Sequence, residues 1–208
     1  MAYNAYTSST NKTTCYTRSM RDSPAPGPEI KAWKTLSSEV VLNEKWFKVR
    51  KDTIRLPSGK IIDDYFVWES PSMATVVPFT QDGKFVICQQ YRHAVGKIMY
   101  QFPSGVVGKD ESPQHAAVRE MAEEIGYTSD SLTHLGDVTL YATKLTGWQH
   151  MFLAQNAVPM AIRQHDAEEP TKVVLVTPAE LQQMIDANKF QLPGSLSAAL
   201  LAMKKLGL

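Results

Sequence analysis

Two cysteines in 208 residues are too few to staple a fold, and Cys15 and Cys88 lie far apart with no CxxC spacing and no companion histidine. A disulfide framework, a cysteine-based zinc site and a thiol redox motif are thereby excluded, which fits a reducing compartment. Charge of one sign is missing too. Twenty-two basic against 21 acidic residues leave a formal charge of +1, so the overall balance points to neither a nucleic-acid nor a membrane-surface partner. No apolar run approaches the ~18 residues of a membrane span, and the amino terminus lacks the apolar core of a secretory signal. The expectation is a soluble, cytoplasmic protein with one main core and no internal repeat.

Aliphatic residues are almost absent from residues 1–30, which are rich in Ser, Thr and Asn and end in SPAPGP. Such a segment has nothing to bury and is expected to be a disordered tail. Its three basic residues before Asp22 make organellar targeting the minor alternative. Residues 31–70 change character. SEVVLN, KWFKVRKDTIRL and KIIDDYFVWE, with a PSG turn at Pro57 to Gly59, predict an antiparallel β-meander. Residues 71–208 form the main domain, with core strands expected in ATVVPFT and KFVICQQYR around an Asp82-Gly83 turn, and further strands at GDVTLYAT, HMFLAQ and KVVLVT. Helices are expected from Pro113, capped by Ser112 and running unbroken to Gly126, from Pro178 behind a Thr177/Glu180 capping box, and over SLSAALLAMKKL. Strands and helices mix without regular βαβ alternation, which is an α+β pattern.

On the first helix Glu120, Glu123 and Glu124 stand at i, i+3 and i+4 and project from one face. Like charges so placed repel by a few tenths of a kcal/mol per pair. The spacing alone leaves two readings: a solvated acidic face, or a set of oxygen ligands for Mg²⁺ or Mn²⁺. The opposite face, Ala117, Met121 and Ile125 with Val118, is apolar and must pack.

The surrounding pattern carries more than the spacing. Gly105, Glu111, Arg119, Glu120, Glu123, Glu124 and Gly126, with an apolar residue at 121, stand in the order and intervals of the Nudix signature, and this segment resembles the Nudix hydrolases at every defined position. The resemblance implies a Nudix α/β/α sandwich with a mixed sheet, a divalent cation (Mg²⁺, with Mn²⁺ as the alternative), and hydrolysis of a nucleoside diphosphate linked to another moiety. It implies metal ligands at Glu120, Glu124 and Glu123, with a backbone carbonyl from Ser104 or Gly105. Arg119 is expected to hold carboxylates in place, and Glu111 is expected to be structural. The general base is expected from HDAEEP at 165–170, as Glu168 or Glu169; the plain reading of that stretch is a solvated acidic turn.

Over about residues 33–205 the resemblance extends to the ADP-ribose pyrophosphatase and nucleoside diphosphate sugar hydrolase branch, through EKWFKVRKDTIRLPSGK, ICQQYRHAVG and FPSG. It implies a homodimer built through the meander, and substrate phosphates gripped by Arg92, whose plain alternative is a strand-end salt bridge. Trp46, Phe47 and Arg55 are candidates to meet the nucleobase or its ribose; core packing is the plain reading of the aromatic pair. One departure stands out. The loop YATKLTGW has Thr143 where ADP-ribose-specific relatives carry a proline, so Lys144 and Trp148 stand where a different sugar or base would be received. The alternatives are a house-cleaning hydrolase of nucleoside triphosphates or dinucleoside polyphosphates, which typically lacks such a meander, and a noncatalytic ligand-sensing module, which commonly loses these glutamates.

Overall fold

A computed structural model describes Gly27 and residues 29–161 and 170–208. Among the described residues the first elements form the expected meander: β1 (Lys34–Glu44), β2 (Phe47–Arg55) and β3 (Ile61–Trp68) pair antiparallel in a three-stranded sheet. All of β1 is exposed, including Leu36, Val40, Val41 and Leu42.

Eight strands make the main sheet: β4 (Met73–Thr80), β5 (Phe85–Arg92), β6 (Lys97–Gln101), β7 (Ser104–Val106), β8 (Tyr127–Thr128), β9 (Ser131–Val138), β10 (Gln149–Pro159) and β11 (Lys172–Val176). The central path runs β11-β5-β4-β10-β8, while β6, β7 and β9 pair with β5, β4 and β10. β4 and β10 are parallel and the other pairs antiparallel, so the sheet is mixed.

Period-two alternation decides which helix covers which face. Ala74, Val76, Val86, Cys88, Phe152 and Ala154 pack under α1 (Pro113–Glu120). Val77, Phe85, Ile87, Met151 and Leu153 point the other way, into the layer that holds α2 (Pro178–Asp186) and α3 (Pro193–Leu206). The outcome is the α/β/α sandwich that the resemblance implied.

Both helix starts follow their caps. Ser112 Oγ accepts from the His115 N–H at 3.2 Å, and Thr177 with Glu180 closes the capping box. The helical run ends at Gly126 as expected, at φ 69°, but after Glu120 it widens into a π turn over Met121–Ile125. A π turn shifts residues around the axis without changing the local composition, so a 3.6-residue period does not reveal it. The strand expected over GDVTLYAT stops at Val138; residues 139–143 turn away to meet the meander, where the Tyr65 hydroxyl donates to the Thr143 carbonyl at 2.6 Å. The loop is stitched further by Trp68 N–H to the Lys144 carbonyl at 2.7 Å and by Lys144 over the Tyr65 ring.

Candidate active site

Burial of Met121 and Ile125, at about 1.5–3 kcal/mol each, outweighs the few tenths lost to each glutamate pair and fixes the roll of the helix on the sheet. That roll turns Glu120 inward. Its side chain is only 13% exposed and lies against Gly105, where an added Cβ would sit 1.8 Å from Glu120 Oε1. Only glycine leaves room for this carboxylate beside β7. Glu123 is more open at 40%, and Glu124 Oε2 accepts from the Ser104 N–H at 3.0 Å. The plain reading of a solvated acidic face therefore fails at Glu120.

Arg119 ties the cluster together. Its Nε and Nη2 donate to the two Glu111 oxygens at 2.9 and 3.0 Å, and Nη2 also donates to the Val106 carbonyl. Nη1 donates to Glu120 Oε1 at 2.7 Å and Glu123 Oε2 at 3.1 Å. A rigid guanidinium fork thus sets three carboxylates relative to one another and to β7. The Arg119 hydrogen bonds, aided by the Gly108 N–H, hold the Glu111 carboxyl down to about 2. Glu120 moves the other way: burial pushes its pKa up, against the pull of Arg119. A half-buried carboxylate crowded by two others is held at an electrostatic cost that a hard cation would relieve.

On the other side of Ser104, whose Oγ accepts from Thr75 Oγ1 at 2.9 Å, lies a cavity of about 250 Å³ whose largely apolar wall carries a few polar side chains, Arg92, Gln101 and Gln149 among them. Arg92 lines it, with Nε and Nη2 donating to Gln101 Oε1 at 3.0 and 2.7 Å. Among the described residues Arg92 has no carboxylate partner, and the neutral Gln101 holds it. A second cavity of similar volume shares Met73, Leu140 and Gln149 with the first, and its walls are apolar: Trp46, Trp68, Leu145 and Trp148 among them. Phe47 sits behind, 4.8 Å from the Trp68 ring. Arg55 is not brought here; it lies at the far end of β2, about 26 Å of strand from Phe47.

Glu168 and Glu169 lie outside the described residues, but both flanks of their segment are anchored on backbone carbonyls at the end of the glutamate-bearing helix. The Met160 N–H donates to the Gly126 carbonyl at 2.8 Å, and the Thr171 hydroxyl donates to the Glu124 carbonyl at 2.6 Å.

Sequence reading missed Gln101, which holds Arg92, and Gln149, which lines both cavities. Gln149 Nε2 bonds Thr75 Oγ1, and a Cβ at Gly194 would strike its amide. A buried glutamine at the mouth of an apolar strand is the signal that could have found it.

Carboxylate oxygens gathered at a loop and helix edge, beside a cavity with a held arginine, are the kinds of group that suit a hard divalent cation and an anionic ligand. Residues 70–194 match the NUDIX domain model, and residues 33–68 match the nucleoside diphosphate sugar hydrolase N-terminal domain. The chain belongs to the NUDIX family.

It is 28% identical over 161 residues to an ADP-ribose pyrophosphatase of Bacillus subtilis, covering 75% of this chain and 84% of that protein. It is 26% identical over 174 residues to the ADP compounds hydrolase NudE of Escherichia coli, covering 82% and 91%. With an ADP-ribose pyrophosphatase of Mycobacterium tuberculosis it shares 30% over 107 residues, about half of each chain at 51%. A crystal structure of an ADP compounds hydrolase superposes with a TM-score of 0.77 at 21% identity, covering 87% of this chain and 97% of that one.

Proposed function

We propose that this Nudix hydrolase cleaves the pyrophosphate of ADP-ribose or a related nucleoside diphosphate sugar, giving a nucleoside monophosphate and a sugar phosphate. The observation that carries the reading is the pair of adjoining cavities beside the glutamate cluster, one walled by indole rings and one holding Arg92. A flat aromatic base and a charged diphosphate need those two surroundings side by side. The meander that supplies Trp46 and Trp68 speaks against a triphosphate or dinucleoside polyphosphate enzyme. The intact glutamates speak against a noncatalytic sensor.

Glu120, Glu123 and Glu124, with the backbone of Ser104 and Gly105, are the groups that would hold Mg²⁺, or Mn²⁺ in its place. Held there, such an ion would supply charge to neutralise pyrophosphate oxygens and would make a water more acidic. Arg119 is the positioning residue of that set, and Glu111 anchors Arg119. Glu168 or Glu169 is the group that takes the proton from the attacking water; Thr171, two residues after Glu169, donates to the Glu124 carbonyl. Arg92 grips the substrate phosphates. Trp46 lines the base cavity and Phe47 backs it through Trp68, while Arg55 reaches substrate only if the meander of a second subunit brings it. A homodimer is part of this reading, and a cytoplasmic location agrees with it; no helix among the described residues is long and apolar enough to cross a membrane.

The test is a substrate panel with Mg²⁺. ADP-ribose and at least one of ADP-glucose, GDP-mannose and UDP-glucose should be hydrolysed, with nucleoside triphosphates at least about tenfold slower in kcat/KM, a gap of about 1.4 kcal/mol. Preference for triphosphates would overturn the substrate class.

A further inference from the structure

Away from the glutamate cluster, β9 and β10 bring together two imidazoles and a carboxylate. His134 Nε2 and His150 Nδ1 each lie 2.8 Å from the same oxygen, Asp137 Oδ1, and the three ligand atoms fall within 4.8 Å of one another. The strand is shaped to do this. In a regular strand His134 and Asp137, three residues apart, would point to opposite faces. Here the register slips between Met151 and Phe152, so that Met151 faces Gly136 and Phe152 faces His134, with Leu135 the extra residue. Gly136 takes φ 143°, a value that side chains with a Cβ avoid. This bulge turns His134 and Asp137 to the same side, beside His150, which pairs directly with Asp137.

We propose that His134, Asp137 and His150 form a second cation site, selective for a zinc-class divalent transition ion rather than Mg²⁺. Imidazole nitrogen suits such ions and not Mg²⁺, which demands oxygen. A tetrahedral ion with ligands at about 2.0–2.1 Å separates them by about 3.3 Å, so the present N···O distances need open by only about half an ångström. The ion replaces the two hydrogen bonds to Oδ1. Each neutral imidazole then carries its proton on the ring nitrogen turned away from the metal. Side-chain exposures of 48%, 39% and 23% for His134, Asp137 and His150 give an ion access and leave its remaining position to water. The scarcity of cysteine excludes a thiolate site but not this one. His150 lies in the same cross-strand row as Ala74 and Gly105, two strands or about 10 Å from the Glu120 cradle, so the two sites share one face of the sheet without sharing a ligand.

Chelator-treated full-length protein, titrated with Co²⁺ in excess Mg²⁺, tests this directly. A visible d–d band should grow to one equivalent, Zn²⁺ should displace it, and Zn²⁺ should raise the melting temperature. His134→Gln and His150→Ala, each checked for native circular dichroism, should abolish the band; Glu124→Gln should keep it. Absence of a band in the wild type, its survival in a folded His150→Ala protein, or its loss in Glu124→Gln would overturn the assignment. Substrate hydrolysis enters none of these readouts, so the result stands apart from the proposed function.

Discussion

Gly105 and Glu120 compete for one volume: the carboxylate fills the place that a Cβ on residue 105 would occupy, 1.8 Å from Oε1. Because the clash falls on the end of a flexible side chain, Gly105→Ala should displace the carboxylate rather than the backbone. We expect kcat for Mg²⁺-dependent hydrolysis to fall by at least about tenfold, a loss of about 1.4 kcal/mol, with a melting temperature within a few degrees of wild type. Wild-type turnover in this variant would show that Glu120 acts from another position.

Burial raises the pKa of Glu120, so the folded protein binds its proton more tightly than the unfolded chain does. Stability from this group therefore falls as pH rises through and above the ordinary carboxylate value of 4.5. Glu120→Gln removes that charge and keeps an acceptor for Arg119. In metal-free buffer at neutral pH the variant should melt at or above the wild-type temperature while losing hydrolysis, and Mg²⁺ should stabilise it less than wild type. Glu111 has the opposite sign: held down to about 2, it contributes stability that is full above 4.5 and disappears as pH falls toward 2. Glu111→Gln should flatten the acid limb of a melting-temperature profile.

Much of this site was legible in the order of residues, because caps, breakers and box spacings act locally. Ser112, the Thr177/Glu180 pair and Gly126 each stand where their backbone chemistry requires. What was not legible depends on partners distant in sequence. The inward turn of Glu120 follows from how Met121 and Ile125 seat on the sheet, and β6 and β7 are too short for a period to register. The bulge that gathers His134 and Asp137 exists only relative to β10. Three apolar residues in a row, Val40 to Leu42, are each at least 40% exposed, and period and hydropathy do not say what such a strand packs against.

Arg92 is held by Gln101, itself bonded to Gln90 at 3.0 Å, so its guanidinium is positioned before substrate arrives. Arg92→Lys keeps the charge and loses the fork. We expect kcat/KM to fall by about 10- to 100-fold, the loss of one to two phosphate hydrogen bonds, with little change in melting temperature. An unchanged kcat/KM for the sugar diphosphates would remove Arg92 from the phosphate site.

The last prediction concerns the meander. β1 lies at the outer edge of its three-stranded sheet, exposed along all eleven residues, with Val40, Val41 and Leu42 at 50, 45 and 40%. An open edge strand with exposed aliphatic side chains is a template for association unless another surface covers it. The register slips between Val40 and Leu42 and leaves Val41 as the extra residue of a bulge, so Val40→Asp and Val41→Asp probe this stretch of the edge in two side-chain directions. Light scattering should give a dimer for the wild type and a monomer for at least one of the two variants. If a second subunit's meander also contributes to substrate binding, the monomeric variant should lose kcat/KM through a raised KM while the glutamate cluster still binds Mg²⁺. A wild-type monomer with full activity would mean that β1 faces water in the working enzyme, and that Trp46 and Trp68 of the same chain supply all the aromatic contact to the base.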